Sequence, residues 1–125
     1  MADVALSLLV LRSADLPRAE QFYAALGLRL VKEQHGNGPE HLAAELGEAV
    51  FEIYPQGDKE STRETRIGFR VPVLADAIAA ALSSGGSLIA PAKNGPWGLR
   101  AVVADPEGHR VELVEEDSIR SVPLS

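Results

Sequence analysis

The chain has 125 residues, 46% of them hydrophobic and 24% charged, enough apolar material for one globular domain with its own core. Its formal net charge of −6, with the basic residues scattered along the chain, argues against nucleic acid, whose phosphates need a clustered positive surface. No apolar run approaches the roughly 18 residues of a membrane span, and the absence of cysteine excludes disulfides, thiolate nucleophiles and thiolate metal ligands. Met1-Ala2-Asp3 lacks a basic start and Arg12 interrupts the apolar run that ends at Leu11, so no secretory leader is expected and a cytoplasmic protein is.

Residues 6–11 form an apolar run of strand length. Asp15-Leu16-Pro17 follows as a helix opening with proline in the first turn. Leu16, Ala19, Phe22, Tyr23 and Leu26 then recur at helical spacing, and Gly27 is placed to stop the helix. Further strands are predicted over residues 28–33, 42–46 and 50–54, separated by Gly36-Asn37-Gly38-Pro39 and by Gly47-Glu48. A first module over residues 1–55 thus reads β-α-β-β-β. Residues 56–64 are polar, contain glycine, serine and threonine, and read as a linker. The order then repeats over residues 65–116. A strand covers 65–71. A helix covers 74–84, with Leu74, Ile78, Ala81 and Leu82 on one side and Gly85-Gly86 as its stop. A short strand at 88–89 precedes strands at 99–104 and 109–115, which the turn Asp105-Pro106-Glu107-Gly108 joins. Residues 117–125 read as a loose tail or a clasp on a partner.

Each module carries a glutamate in the same setting, Phe51-Glu52-Ile53 and Val111-Glu112-Leu113, and the two are 112 − 52 = 60 positions apart. Strand alternation turns the apolar neighbours to a core and both glutamates away from it. Tyr54 shares the parity of Glu52. Arg66, Gly68 and Arg70 lie opposite Ile67, Phe69 and Val71, so both arginines are expected on the glutamates' side, with Arg66 paired to Glu112, to Glu52 or to an anionic ligand. Such glutamates are either simply ion-paired or hold a metal. Trp97, in Asn94-Gly95-Pro96-Trp97-Gly98 ahead of Arg100, is either a core plug or a stacking surface for a flat ligand. Of the histidines, His35 beside a glycine-rich loop is expected to be exposed, and His109 to cap its strand or be exposed. His41 is a rim residue, a spare metal ligand or a general base.

The sequence resembles the vicinal oxygen chelate superfamily, which includes glyoxalase I, bleomycin-resistance and fosfomycin-resistance proteins and extradiol dioxygenases. Asp15-Leu16, Phe22-Tyr23 and Leu26-Gly27 carry the resemblance in the first module, and Asp105-Pro106-Glu107-Gly108 with Val111-Glu112-Leu113 in the second. It covers almost the whole chain and implies an α+β fold of two tandem β-α-β-β-β modules forming cupped mixed sheets. It further implies a small-molecule cavity in a homodimer, whether within one chain or across two, and one of two functions. The first is a glyoxalase-like lyase or isomerase, or a related metal-assisted enzyme acting on vicinal oxygens. In it Glu52 and Glu112, with His41 in reserve, would hold one divalent ion (Mg, Mn, Ni, Zn or Fe), and one glutamate would move the proton. Such enzymes take one ligand from the first and one from the last strand of each module. The last-strand positions match, whereas the first-strand positions fall near Ser7 and at Arg66, and arginine has no lone pair to offer. The second function is a metal-free binding or sequestering protein of the bleomycin-resistance type, whose acidic charge attracts a cationic drug. Arg66, Arg70, Arg100, Trp97 and Tyr54 would line the ligand site, with Arg66 and Arg100 gripping a carboxylate or phosphonate as forks.

Overall fold

A computed structural model describes residues 3–96 and 98–116. The alternation of apolar and polar side chains generates two copies of one unit. The first comprises β1 (Leu8–Ser13), α1 (Leu16–Leu26), β2 (Val31–Glu33), β3 (His41–Leu46) and β4 (Ala49–Pro55). The second comprises β5 (Arg66–Val71), α2 (Leu74–Ser83), β6 (Ser87–Gly95), β7 (Gly98–Ala104) and β8 (Arg110–Glu115). Each forms its own four-stranded mixed sheet, ordered β1-β4-β3-β2 and β5-β8-β7-β6, in which the first strand runs parallel to the last and the others pair antiparallel.

The helices start and stop where local chemistry dictates. At the head of α1 the Asp15 carboxylate accepts the Arg18 N–H at 3.1 Å, and Pro17 occupies a first-turn position that needs no amide donor. The helix ends at Gly27, in the left-handed region at φ 114°. In the second module the left-handed residue is Gly85, at φ 97°, so the repeat of Gly27 lies 85 − 27 = 58 positions on. Gly86 has a different task. A Cβ there would stand 2.6 Å from Cε1 of Phe22 and 2.7 Å from the Ala104 carbonyl, so α1 lies against the second module because this position has no side chain.

One core serves both units. Leu11, Phe22, Leu42, Phe51 and Ile53 join Leu74, Ala81, Val103, Val111 and Leu113 in a single buried cluster, and the Phe51 and Phe69 rings meet edge-on at 6.1 Å beside Tyr23. A buried polar network crosses the same boundary. Tyr23 donates to Oδ2 of Asp105 at 2.6 Å, and Asp105 Oδ1 accepts the backbone N–H groups of Glu107, Gly108 and His109. The His109 ring lies 2.8 Å from Asp105 through Nδ1 and 2.7 Å from the Thr62 hydroxyl through Nε2, while Thr62 accepts the Arg12 N–H at 2.9 Å. Glu107 accepts from the Ser13 hydroxyl and the Ala14 N–H. Burial, then the negative charge of Asp105, pushes the Tyr23 phenol well above its ordinary pKa. Burial alone would raise Asp105 too, but hydrogen bonds from His109 and Tyr23 outweigh it and hold the carboxyl below the usual range.

Several expectations are corrected. His109 neither caps nor faces solvent; Asp105 and Thr62 satisfy both its nitrogens, which makes its burial affordable. β1 spans Leu8–Ser13 instead of 6–11, and β2 only Val31–Glu33. The predicted two-residue strand at 88–89 is the nine-residue β6. Pro91 and the polar residues around it disguise this edge strand, whose register shifts between Leu88 and Lys93 accommodate a residue without an amide donor. Gly95 pairs with Gly98 at the closed end of the β6–β7 hairpin. Trp97 and the tail over 117–125 lie outside the described residues. No helix among those described is long and apolar enough to cross a membrane.

Candidate functional site

The first sheet places a row of functional side chains on its open face. Arg12 of β1 is in register with Tyr54 of β4, and Glu33 of β2 with His41 of β3. The Tyr54 and His41 rings stack at 4.1 Å with 8° between their planes, while the Arg12 guanidinium carbon lies 5.6 Å from the Tyr54 ring centre. Glu52, two residues before Tyr54 on β4, faces the same side and is flanked in register by Val10 and Ala43.

His41 is the buried centre of this row, only 1% exposed, and not a rim residue. Its Nδ1 lies 3.2 Å from the Pro39 carbonyl, which can only accept, so Nδ1 carries the proton. Among the described residues Nε2 finds no hydrogen-bond partner, and it stands 3.6 Å from both Glu33 Oε1 and Glu52 Oε2. His35 has the exposed side chain expected of it, at 71%, yet its Nε2 reaches to 3.6 Å from Glu33 Oε1 and its ring lies 5.2 Å from that of His41. One ligand atom from each of Glu33, His35, His41 and Glu52 falls within 4.8 Å of the others, so these four side chains could hold a metal ion. Glu33 and His35 were not legible as ligands because their approach depends on the β2–β3 register and on the path of the loop over 34–40, and Gly36-Asn37-Gly38-Pro39 marks that loop without showing where it carries His35.

The second sheet carries a different face. Glu112 of β8 is flanked by Gly68 of β5 and Val102 of β7. Arg100 Nη2 donates to Glu112 Oε2, and Arg66 Nη2 approaches the same oxygen at 3.4 Å. Arg70 and Arg110 share the strand parity of Arg66 and Glu112, and Lys93 is in register with Arg100. Five of the chain's 12 basic residues therefore share one sheet face with this carboxylate, and two of them, Arg66 and Arg100, touch it. Glu52 and Glu112, expected in one cavity, have separate sets of partners, each within its own sheet.

Two mixed sheets built from repeated β-α-β-β-β units around a common core define an α+β protein of the glyoxalase-like fold. Residues 5–113 match the model of the Glyoxalase/Bleomycin resistance protein/Dioxygenase superfamily, and the chain belongs to that superfamily. Its fold resembles a glyoxalase-related enzyme from Fulvimarina pelagi, with a TM-score of 0.71, 23% identity, and coverage of 90% of this chain and 88% of that one. TnmS3, an antibiotic binding protein from Streptomyces sp. CB03234, matches with a TM-score of 0.73 and 23% identity over 94% of this chain and 99% of that one. A glyoxalase/bleomycin resistance protein/dioxygenase family enzyme from Burkholderia phytofirmans PsJN matches with a TM-score of 0.69 and 16% identity over 90% and 98%. No curated protein sequence matches the chain.

The residues present do not fit a metal shared between the two last strands. The strand positions facing Glu52 and Glu112 in register hold Val10 and Gly68, which offer no donor atom, and Arg100 and Arg66 already neutralise Glu112. Among the described residues, the metal-ligating side chains that do converge lie in the first module.

Proposed function

We propose that this protein binds an anionic small molecule on the arginine-bearing face of its second sheet, as a binding protein and not as a lyase acting through paired glutamates. The observation that carries this reading is the pairing of Arg66 and Arg100 with Glu112 on a sheet face to which strand parity and register also assign Arg70, Arg110 and Lys93. Arg66 and Arg100 spend one nitrogen each on Glu112, and among the described residues no other acceptor takes their remaining donors, which can form forked hydrogen bonds with a carboxylate or phosphonate. The net charge of −6 would favour a cationic ligand, but charges beyond about 8 Å are largely screened at physiological salt. The local face, opposite in sign, governs what binds. The antibiotic-binding function named for TnmS3 supports a binding role within this fold. Arg70 extends the anion-binding face, whereas Tyr54 belongs to the first sheet.

A homodimer accompanies this reading. Val4, Leu6 and Leu8 are exposed at 87%, 67% and 51% at the free edge of the first sheet, and a second copy would cover them. If that copy docks through its second sheet, Glu52 of one chain and Glu112 of the other border one cavity. Light scattering is expected to report a dimer at micromolar concentration, and a monomer there would remove this part of the proposal.

Calorimetry with salicylate and phenylphosphonate, compared with the uncharged methyl salicylate and dimethyl phenylphosphonate, tests the ligand class. The acids should bind and the esters should not, and Arg100→Ala should weaken binding about tenfold or more, the loss expected for one charge-assisted hydrogen bond. Equal binding of acid and ester, or an Arg100→Ala variant as tight as the wild type, would refute the assignment.

A further inference from the structure

We infer that the first module holds, by itself, one divalent transition-metal ion ligated by Glu33, His35, His41 and Glu52, at a site that uses neither Glu112 nor any residue of the second module. It is independent of the anion site proposed above.

The case begins with His41 Nε2. A buried nitrogen with its lone pair exposed to two carboxylate oxygens and no donor in reach is unfavourable, because acceptor faces acceptor with little water to intervene. A cation resolves the conflict. The other ring nitrogen is already committed to a backbone carbonyl, the outer contact that fixes the tautomer and orientation of a metal-ligating histidine. The face stacked on Tyr54 further immobilises the ring. A preoriented nitrogen with an unused lone pair is what a metal site requires, and His109, whose two nitrogens are both hydrogen-bonded, does not offer one.

The distances fit. Bonds of about 2.0–2.1 Å to a tetrahedral ion place neighbouring ligand atoms about 3.3–3.4 Å apart. Three of the six ligand pairs, His41–Glu33, His41–Glu52 and His35–Glu33, are at 3.6 Å and all six lie within 4.8 Å, so side-chain movements of up to about 1.5 Å close the shell. His35, on an exposed loop position, is the ligand free to adjust. Two imidazoles with two carboxylates suit Zn²⁺, Co²⁺ or Ni²⁺, whereas Mg²⁺ and Ca²⁺ prefer shells of oxygen alone. The ligands come from β2, the β2–β3 loop, β3 and β4, so the ion would tie three adjacent strands together and present its His35 side to solvent.

The test uses the full-length, tag-free protein, stripped with chelator, dialysed, and titrated with Co²⁺ while visible d–d absorption is followed. One equivalent of Co²⁺ per chain should bind, with Zn²⁺ displacing it and excess Mg²⁺ failing to. His35→Ala and Glu33→Gln alter exposed side chains and should leave the circular dichroism spectrum unchanged. Each should weaken Co²⁺ binding about tenfold to a hundredfold, a range seen when a metal's immediate surroundings are altered. Glu52→Gln should weaken it at least as much, and Glu112→Gln should bind Co²⁺ as the wild type does. Absence of Co²⁺ binding overturns the inference. So does displacement by Mg²⁺, wild-type affinity in both His35→Ala and Glu33→Gln, or loss of binding in Glu112→Gln, which would return the metal to a site shared by both modules.

Discussion

The two modules agree where they are buried and differ where they are open. Both turn Phe51 and Ile53, or Val111 and Leu113, to the common core, and both place a glutamate between these residues at the same point of the parallel strand pairing. On the open faces the first sheet surrounds its glutamate with imidazoles and a second carboxylate, and the second sheet surrounds its own with guanidinium groups. The lesson is that a core fixes side-chain type because volume and polarity must both match their neighbours, whereas an open face tolerates any set of charges that balance locally. Identical glutamates therefore acquire unlike chemistry.

The largest expected effect exposes the dependence of one module on the other. Gly86→Ala drives a Cβ into Phe22 and into two backbone carbonyls, and should destabilise by roughly 3 kcal/mol or lower the melting temperature by about 10 °C. Gly27→Ala, which meets nothing within 4 Å and suffers only its left-handed backbone, should cost about 1–2 kcal/mol. Thermal denaturation of the pair checks the order, and equal losses would show that α1 does not press on Gly86.

The boundary network comes next. Asp105→Ala strands the Tyr23 hydroxyl, three backbone donors and His109, and about 2–3 kcal/mol should be lost, measurable by urea denaturation. The same network has a pH signature. Because the folded-state pKa of Asp105 lies below the ordinary 3.8, its contribution is complete above that value and disappears as pH falls through the folded pKa. Tyr23 has the opposite sign: its folded pKa is raised, so its contribution is complete below 10.0 and disappears as pH rises toward the folded value. Tyr23→Phe should flatten the alkaline limb of a stability–pH profile, and an unchanged limb would contradict the assignment.

The smallest effects separate the two open faces. Arg100→Ala and Arg66→Ala remove partly exposed ion pairs and should shift stability by less than about 1 kcal/mol. The same substitutions should alter anion binding strongly and Co²⁺ binding not at all. A stability loss above 2 kcal/mol would mark these arginines as structural.

Most of the fold is legible in the residues because period and punctuation coincide: Asp15 and Gly27 bracket α1, and the parity of Phe51, Ile53, Val111 and Leu113 fixes which way Glu52 and Glu112 point. The pairing of Arg66 with Glu112 follows from the same parity. What stayed hidden needs tertiary information. β6 is an irregular edge strand with no alternation to read. His109 looks like a strand-start polar residue until Thr62, 47 residues away, is brought to it. Glu33 and His35 join His41 only through strand register, and no local pattern of three residues encodes that.

The irregular β6 bears on assembly. A sheet grows by adding a strand to a straight edge whose amides and carbonyls are unpaired, and every such edge is an invitation to a second molecule. Pro91 deletes one donor from this edge, and the breaks in register on either side of Ala90 bend what remains. Copies of the protein thus meet a poor template along β6, and stacking into open-ended fibres from that side is discouraged. Association is left to the straighter margins at β1, β2 and β5, where a closed pair can form and then stop.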